Sequence, residues 1–341
     1  MWIRRGRFLH NRKMDKFISV IIPNYNGAST IGRCLEGALS STYPRYEVIV
    51  VDDCSTDASV EIIRRFPCTL IMSDKHSGAS LARNTGALHS KGEILFFTDA
   101  DCVLATDTLS RAVLSIGGRE DAVIGGTYTK LPCDRTFFST FQSIFVNYSE
   151  TRKAVPDYIA THAMTIAREL FRKTGGFAGD FLPILEDVEF SHRLRRSGYA
   201  LIMDPLILVS HIFHFTLLKS LRNAFRKSMF WTEYSLRNRD IFADSGTASR
   251  ELKVNVVCFF VSLVLLLLFC LPDGLRFLLP IPLIASFNLF SSRGLIRAFF
   301  QARGVPFTIA AAIYYTMIYP VAVGAGASAG FWRSVRPGIR R

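Results

Sequence analysis

The seven cysteines, at positions 34, 54, 68, 102, 133, 258 and 270, include no C-x-x-C pair. An odd count with two members inside apolar runs argues against a disulfide framework or a structural zinc site, and a reducing compartment is the expected setting. Acidic residues are missing from both ends of the chain. Residues 1–13 hold five basic residues and residues 291–341 hold seven arginines, and together they account for all but one of the net +13 charges. Basic ends around a nearly neutral body suit anionic lipid head groups. No zinc-finger spacing and no basic helix followed by heptads is present, so nucleic acid is not an expected partner. The N-terminal WIRRGRFLHNRK also lacks the apolar core of about 7–15 residues that a secretory signal needs. It reads as a basic arm over residues 1–16, with Met14 as an alternative start.

What the chain does have is apolar residues, 49% of 341, more than a purely soluble protein of this length needs. One apolar run stands out. Ile94, Leu95, Phe96 and Phe97 read as a strand buried on both faces, and the run ends in Asp99-Ala100-Asp101. Residues i and i+2 of an extended chain point the same way, so the two carboxylates are expected to converge on one divalent cation, which in turn holds phosphate. By itself a D-x-D triplet is also an ordinary polar loop, and its weight comes from the rest of the chain.

Ile18 to Pro23 is a short apolar run closed by proline, and Asn24 to Gly27 is loop. Ser29 or Thr30 is placed to cap a helix whose apolar positions are Ile31, Leu35, Ala38 and Leu39. Tyr46 to Val51 is a second buried strand that ends in Asp52 and Asp53, with Asp57 placed to cap the next helix. A third strand, Thr69 to Met72, and a helix from Ala79 to His89 lead into the D-x-D strand. Alternating strands and helices with short loops predict a doubly wound, mostly parallel α/β sheet, whose ligands bind beyond the carboxyl ends of the strands. Pro23, Asp52-Asp53 and Asp99-Asp101 all fall at those ends.

SVIIPNYN, VIVVDDCSTD, GASLARNTG and ILFFTDAD, in that order, resemble the nucleotide-binding half of the family 2 glycosyltransferases, which have the GT-A fold. The resemblance covers roughly residues 17–212 and implies roles at the matching positions. Pro23 and Tyr25 would line the base pocket, Asp53, with Asp52, would accept from the nucleobase, and Arg83 would reach the base or a phosphate. Asp99 and Ala100 would lie at the ribose and diphosphate, and Asp101, with Asp99, would bind Mg²⁺ or Mn²⁺. Further on, Leu185-Glu186-Asp187-Val188-Glu189 resembles the family's E-D motif. There Asp187 would be the general base that deprotonates an acceptor hydroxyl, with Glu186 orienting it. A carboxylate in a first helical turn also serves the helix dipole, and both roles are compatible. His211 matches a family histidine that completes the metal site or contacts the diphosphate, and His162 lies where the acceptor pocket or a sheet extension is expected.

Beyond residue 214 the character changes. Leu218, Leu221, Phe225 and Met229 form a helical stripe beside Lys219, Arg222 and Arg226, the pattern of a helix lying on a membrane surface, over residues 215–253. The Q-x-x-R-W motif of processive family members is missing, which favours addition of one sugar over polymerisation. Val254 to Leu271 is long enough to span a bilayer. The turn Pro272-Asp273-Gly274 makes it a hairpin with a shorter apolar stretch, and Pro306 to Phe331 is a third span. The loop carrying Arg293, Arg297 and Arg303 belongs on the cytosolic side by the positive-inside rule. The tail, residues 332–341, is also basic and conflicts with three full crossings, unless the third segment re-enters around Pro320. Gly326 and Gly330 give a spacing that permits close helix packing.

The resulting expectation is a GT-A catalytic domain over residues 17–214, with a donor half to residue 102 and an acceptor half from 103, held on the cytosolic face by a multi-pass membrane segment over 254–331. The expected reaction is metal-dependent, inverting transfer of one sugar from a nucleotide-diphospho-sugar to a lipid-linked saccharide. A polyprenyl phosphate acceptor is the close alternative, and a non-catalytic membrane scaffold is the alternative from another class.

Overall fold

The structure, a computed structural model, describes residues 15–179, 182 and 184–335, so most of the basic arm and the last six residues of the tail lie outside the described residues. The chain forms two compact units. The first takes residues up to Arg135 and Glu150–Phe213, and the second takes Thr136–Ser149 and the residues from His214 onward.

In the first unit β1 (Ile18–Asn24), α1 (Ile31–Leu39), β2 (Tyr46–Asp52), α2 (Ser59–Ile63), β3 (Thr69–Met72), α3 (Ala79–Leu88) and β4 (Ile94–Phe97) alternate as the apolar runs require. The chain continues through β5 (Cys102–Leu104), α4 (Thr108–Ile116), β6 (Ala122–Tyr128), α5 (Phe137–Thr151, most of which belongs to the second unit), β7 (Met164–Ala167), α6 (Arg168–Lys173), α7 (Glu186–Arg196) and β8 (Ala200–His211). Among the described residues these strands make one eight-stranded sheet in the order β3-β2-β1-β4-β7-β6-β8-β5. The β3-β2-β1-β4 half is parallel. Past β4 the sheet becomes mixed: β7 is antiparallel to both β4 and β6, β8 runs parallel to β6, and β5 is antiparallel to β8.

Two elements of this half are absent from the pattern of the sequence. β6 contains Gly125-Gly126, which reads as a breaker, yet Ile207 approaches so closely that a Cβ on Gly126 would lie 2.4 Å from its carbonyl oxygen. The pairing with β8 shifts register at that point, so the glycines admit a bulge instead of ending the strand. Asp204-Pro205 sits inside the same irregular part of β8.

In the second unit α8 (Leu217–Asn238) precedes α9 (Arg250–Leu268), α10 (Ile281–Ser291), α11 (Arg293–Ile313), a π-turn at Tyr314–Ile318 and α12 (Tyr319–Val335). Arg250–Leu268, Gly274–Ser291 and Arg293–Val335 are long and apolar enough to cross a membrane, by length and composition. Two expectations need correction. Arg293, Arg297 and Arg303 lie in helix, not in a loop, and that helix breaks at Gly304, whose φ of 70° lies in the left-handed region, just before the expected third span. And α8 does not lie alone on a surface: its small and aromatic face, with Ser220, Ala224 and Tyr234, is buried, while Leu218 and Phe225 stay exposed. Added Cβ atoms on Gly326 and Gly330 would come within 2.3 and 2.2 Å of the carbonyl oxygens of Phe225 and Met229, so the two glycines let α12 pack backbone-close on α8.

The π-turn explains how the helix passes Pro320. The Tyr319 N–H bonds back to the Tyr314 carbonyl, and Pro320 has no N–H, so the Tyr315 carbonyl loses its helical partner. Asn255 on α9 replaces it, donating from Nδ2 to that carbonyl at 2.7 Å, and Asn288 on α10 donates to Asn255 Oδ1 at 2.8 Å. Three apolar segments are thus joined by one buried amide relay.

Candidate active site

The carboxyl ends of β1 and β2 form the first part of the rim. Asp52 is fully buried and accepts from Asn24 Nδ2 (2.7 Å), Ser55 Oγ (2.6 Å) and the Ser55 N–H (3.0 Å). These bonds make it the staple that fixes the β1 and β2 loops. Asp57 accepts from the Ser59 and Ala28 N–H groups, but the N-cap of the next helix is Ala58 and not Asp57 as expected. Asp53 is turned to the other side. Its carboxylate accepts the backbone N–H groups of Ser77 (2.8 Å) and Gly78 (2.7 Å) and lies 2.9 Å from His76 Nδ1. Gly78 has φ of 89°, a conformation that admits glycine readily and lets two successive N–H groups face one carboxylate. His76 packs against Tyr25, ring centroids 4.1 Å apart, and Tyr25 is half exposed. This sets two aromatic rings, tilted by 32°, beside a buried carboxylate, with Pro23 partly exposed on β1. His76 carries no motif and was not identified from the sequence.

At the end of β4 the two aspartates of the D-x-D triplet part company. The segment is a turn, closed by the Cys102 N–H on the Asp99 carbonyl at 3.0 Å, not an extended strand. The two carboxylates take different partners among the described residues. Asp99 Oδ1 accepts from Arg83 Nη2 at 2.6 Å. The other end of the same guanidinium, Nη1, donates to Glu186 Oε1 at 2.7 Å. Arg83 is buried and does not reach outward to a base or phosphate as the sequence suggested. It clamps the end of β4 to the start of α7. Burial pushes the Asp99 carboxyl up, but the charges of Arg83 and His162 outweigh it and hold Asp99 below the usual carboxylate range.

The α7 end of the clamp begins with a strained residue. Leu185 has φ of 78°, which costs a bulky side chain about 1–3 kcal/mol and aims the first turn of α7 at the rim. Glu186 is held by Arg83, and Asp187 beside it is partly exposed. Glu189 pairs instead with Arg193 of the same helix at 3.0 Å.

Asp101 looks toward β8. Because β5 pairs antiparallel with β8, Cys102 stands opposite His211, and the Ile212 N–H bonds the Asp101 carbonyl at 2.8 Å. This brings His211 Nε2 to 3.3 Å from Asp101 Oδ2. Donor atoms of Asp101, Cys102 and His211 lie within 4.8 Å of one another. The carboxylate and the imidazole suit a divalent cation that completes its shell with diphosphate oxygens and water. Cys102 does not suit it: burial, with the charges of Asp101 and Asp99, pushes the thiol well above its ordinary value, and the thiolate is the form that binds metal. Burial, with the Asp99 charge, also pushes the Asp101 carboxyl up to about 7.

Behind these groups lies a buried polar network that sequence patterns did not reveal. His162 Nε2 is 3.4 Å from Glu150 Oε2, which accepts from Thr127 Oγ1 at 2.7 Å, and both charged side chains are buried. Burial lowers the His162 pKa, but Glu150, Asp99 and Asp187 raise it by more, and the imidazole sits above its ordinary value. Its ring stacks on Tyr128 (4.1 Å), whose edge meets His211 (5.0 Å).

Residues 19–175 match the sequence profile described as Glycosyl transferase family 2. Glycosyltransferase AglE of Haloferax volcanii is 32% identical over 206 residues, covering 57% of this chain and 66% of that protein. The putative teichuronic acid biosynthesis glycosyltransferase TuaG of Bacillus subtilis is 29% identical over 129 residues, 36% of this chain and 51% of that protein. The chain thus spans two thirds or less of the length of these relatives. Among solved structures, the mannosyltransferase PcManGT from Pyrobaculum calidifontis, in complex with GDP-Man and Mn²⁺, aligns over 93% of this chain and 88% of its own with a TM-score of 0.58 and 21% identity. That likeness concerns the fold, and it agrees with the GT-A architecture the motifs implied.

Proposed function

We propose that this chain, which carries a family 2 glycosyl transferase domain of GT-A fold, moves a single sugar from a nucleotide-diphospho-sugar to a membrane-associated acceptor, with inversion at the anomeric carbon. The acceptor class that fits best is a lipid-linked saccharide, because the second unit supplies three helices suited to a membrane.

In this reading the acceptor hydroxyl gives its proton to the Asp187 carboxylate while its oxygen bonds to C1. The C1–O bond to the diphosphate breaks on the opposite face, the configuration inverts, and the nucleoside diphosphate leaves. A divalent cation held by Asp101 and His211 would neutralise charge on the departing diphosphate. The mannosyltransferase with Mn²⁺ bound supports Mn²⁺ as that cation. Asp53 would accept from the nucleobase, and Tyr25, with Pro23, would give it a stacking surface. Ala100 brings backbone close to the donor, and Asp52 shapes the loops around it. Arg83 is a positioning residue: it fixes Asp99 and, through Glu186, the helix that carries Asp187.

The observation that carries the reading is the Arg83 clamp, since it joins the donor-side carboxylate to the acceptor-side motif by two bonds of 2.6 and 2.7 Å. The test is to supply membranes containing the chain with radiolabelled nucleotide-sugars one at a time and to extract lipid. Label in a mild-acid-labile lipid-linked oligosaccharide is the expected result, and a labelled single-sugar phosphoprenol points to the polyprenyl phosphate alternative. No incorporation from any donor contradicts the assignment.

A further inference from the structure

Glu150 and His162 form a buried pair that takes no direct part in the transfer described above. A buried pair adds little net stability over an apolar filling of the same volume, so its effect is to be sought in what it holds in place. Glu150 Oε2 accepts from the Thr127 hydroxyl at 2.7 Å and lies 3.4 Å from His162 Nε2. The backbone of His162 is fixed as well, because its carbonyl accepts from Thr98 Oγ1 at 2.9 Å, one residue before the D-x-D turn. The imidazole so held lies face-on to the ring of Tyr128, with centroids 4.1 Å and planes 27° apart.

Tyr128 carries this support to His211. On β6 it stands opposite Val209 of the parallel strand β8, and His211, two residues further along β8, falls on the same face of the sheet. The rings of Tyr128 and His211 meet edge to face, 5.0 Å apart. His211 also stacks on Phe213 at 3.8 Å, with planes 12° apart. Phe213 is anchored in turn, since its N–H donates to Asp134 Oδ1 at 2.9 Å and its ring meets Tyr128 at 5.6 Å. Two aromatic rings thus set the tilt of the imidazole whose Nε2 lies 3.3 Å from Asp101 Oδ2. Groups that orient a metal ligand from outside typically change metal affinity by about 10–100-fold when they are removed.

We propose that His162, braced by Glu150, is a positioning residue for the cation site: it backs Tyr128, and Tyr128 with Phe213 orients His211 toward Asp101. The inference rests on the assignment of the cation to Asp101 and His211, and it adds a support that reaches the metal ligand through one intervening ring.

The test uses the full chain in non-ionic detergent, without donor, and compares His162→Leu/Glu150→Gln with His162→Phe/Glu150→Gln. Changing both members of the pair avoids a stranded buried charge. Both variants lose the ion pair, and only the phenylalanine keeps a ring against Tyr128. One readout is Mn²⁺ affinity, from the electron paramagnetic resonance of the free ion. The other is the rate at which diethyl pyrocarbonate modifies His211 in the metal-free chain, located by peptide mass spectrometry. In the leucine variant Mn²⁺ should bind roughly tenfold or more weakly, and modification of His211, whose side chain is only 13% exposed, should quicken. The phenylalanine variant should stay close to the parent in both. Tyr128→Leu, which removes the intervening ring and leaves the ion pair in place, should match the leucine variant, and circular dichroism checks that each variant keeps its fold. Parental affinity and modification in the leucine variant or in Tyr128→Leu, or equal losses in the leucine and phenylalanine variants, would overturn the proposal. A parent that binds no Mn²⁺ would refute the cation assignment, while the modification rates still decide whether His162 holds His211 in place.

Discussion

Replacing Arg83 by methionine tests the internal logic of the site. The guanidinium is buried between Asp99 and Glu186, with 5% of its side chain exposed against 31% and 13% for its partners. Removing it leaves two carboxylates facing each other in a poorly solvated space. Breaking a buried pair from one side costs about 3–5 kcal/mol, which for a unit of this size lowers the melting temperature by roughly 6–20 °C. Arg83→Lys should recover only part of this, because one ammonium cannot reproduce a planar fork with two targets. Asp99 also titrates below its ordinary value in the native protein. Its stabilisation is therefore complete at neutral pH and is lost as pH falls through that lowered value; in Arg83→Met burial is left to raise the Asp99 carboxyl instead, so the variant should recover part of its lost stability on acidification. The assay is thermal melting of the full chain in detergent at several pH values, with turnover measured alongside. The decisive comparison is Arg83→Met/Glu186→Gln, which removes one of the stranded charges and should melt above Arg83→Met alone. If Arg83→Met melts with the parent, or the double variant gains nothing over the single, the clamp is not what holds β4 to α7.

Three further outcomes follow from particular contacts. Asn255→Leu strands the Tyr315 carbonyl and should cost about 1–3 kcal/mol, and adding Pro320→Ala, which returns a helical N–H, should recover much of that loss in the same melting assay. Gly330→Leu should separate α12 from α8, seen as loss of a disulfide engineered between the two helices, whereas Ala329→Leu should not. Mn²⁺ affinity, read by the electron paramagnetic resonance of the free ion, should rise as pH passes about 7, because the Asp101 carboxyl must lose its proton before it can ligate. His211→Ala should weaken that affinity at every pH.

The donor half was legible because buried parallel strands appear as unbroken apolar runs. Ile18–Pro23, Tyr46–Val51 and Ile94–Phe97 each end in the residues that make the rim. The acceptor half was not, for identifiable reasons. β6 hides a glycine pair that serves a bulge, β7 is only four residues long, and the mixed pairing depends on contacts distant in sequence. Among site residues, His211 was expected to complete a metal site or contact the diphosphate, but its approach to Asp101 arises from the β5–β8 register, which no local pattern encodes. Arg83 was expected to face the ligand and faces inward. Its partners lie 16 and 103 residues away, so nothing in the helix itself announces the clamp. Glu150 belongs to no motif, and His162, expected only at the acceptor pocket or a sheet extension, gains its meaning from burial beside the carboxylates. In the second unit the apolar runs were plain, while the π-turn ahead of Pro320 leaves a carbonyl that only a distant residue, Asn255, satisfies.

The central claim is that Asp187 takes the acceptor proton while Asp101 serves the cation. Once a donor is identified, it is tested most directly by assaying Asp187→Asn and Asp101→Asn for transfer and, separately, for Mn²⁺-dependent donor binding by calorimetry. Asp187→Asn should lose transfer by a factor of about 10²–10⁴, the usual contribution of a general base, while keeping donor and Mn²⁺ binding. Asp101→Asn should lose Mn²⁺-dependent donor binding as well as transfer. Near-parental transfer by Asp187→Asn, or undiminished Mn²⁺-dependent donor binding by Asp101→Asn, would contradict the account.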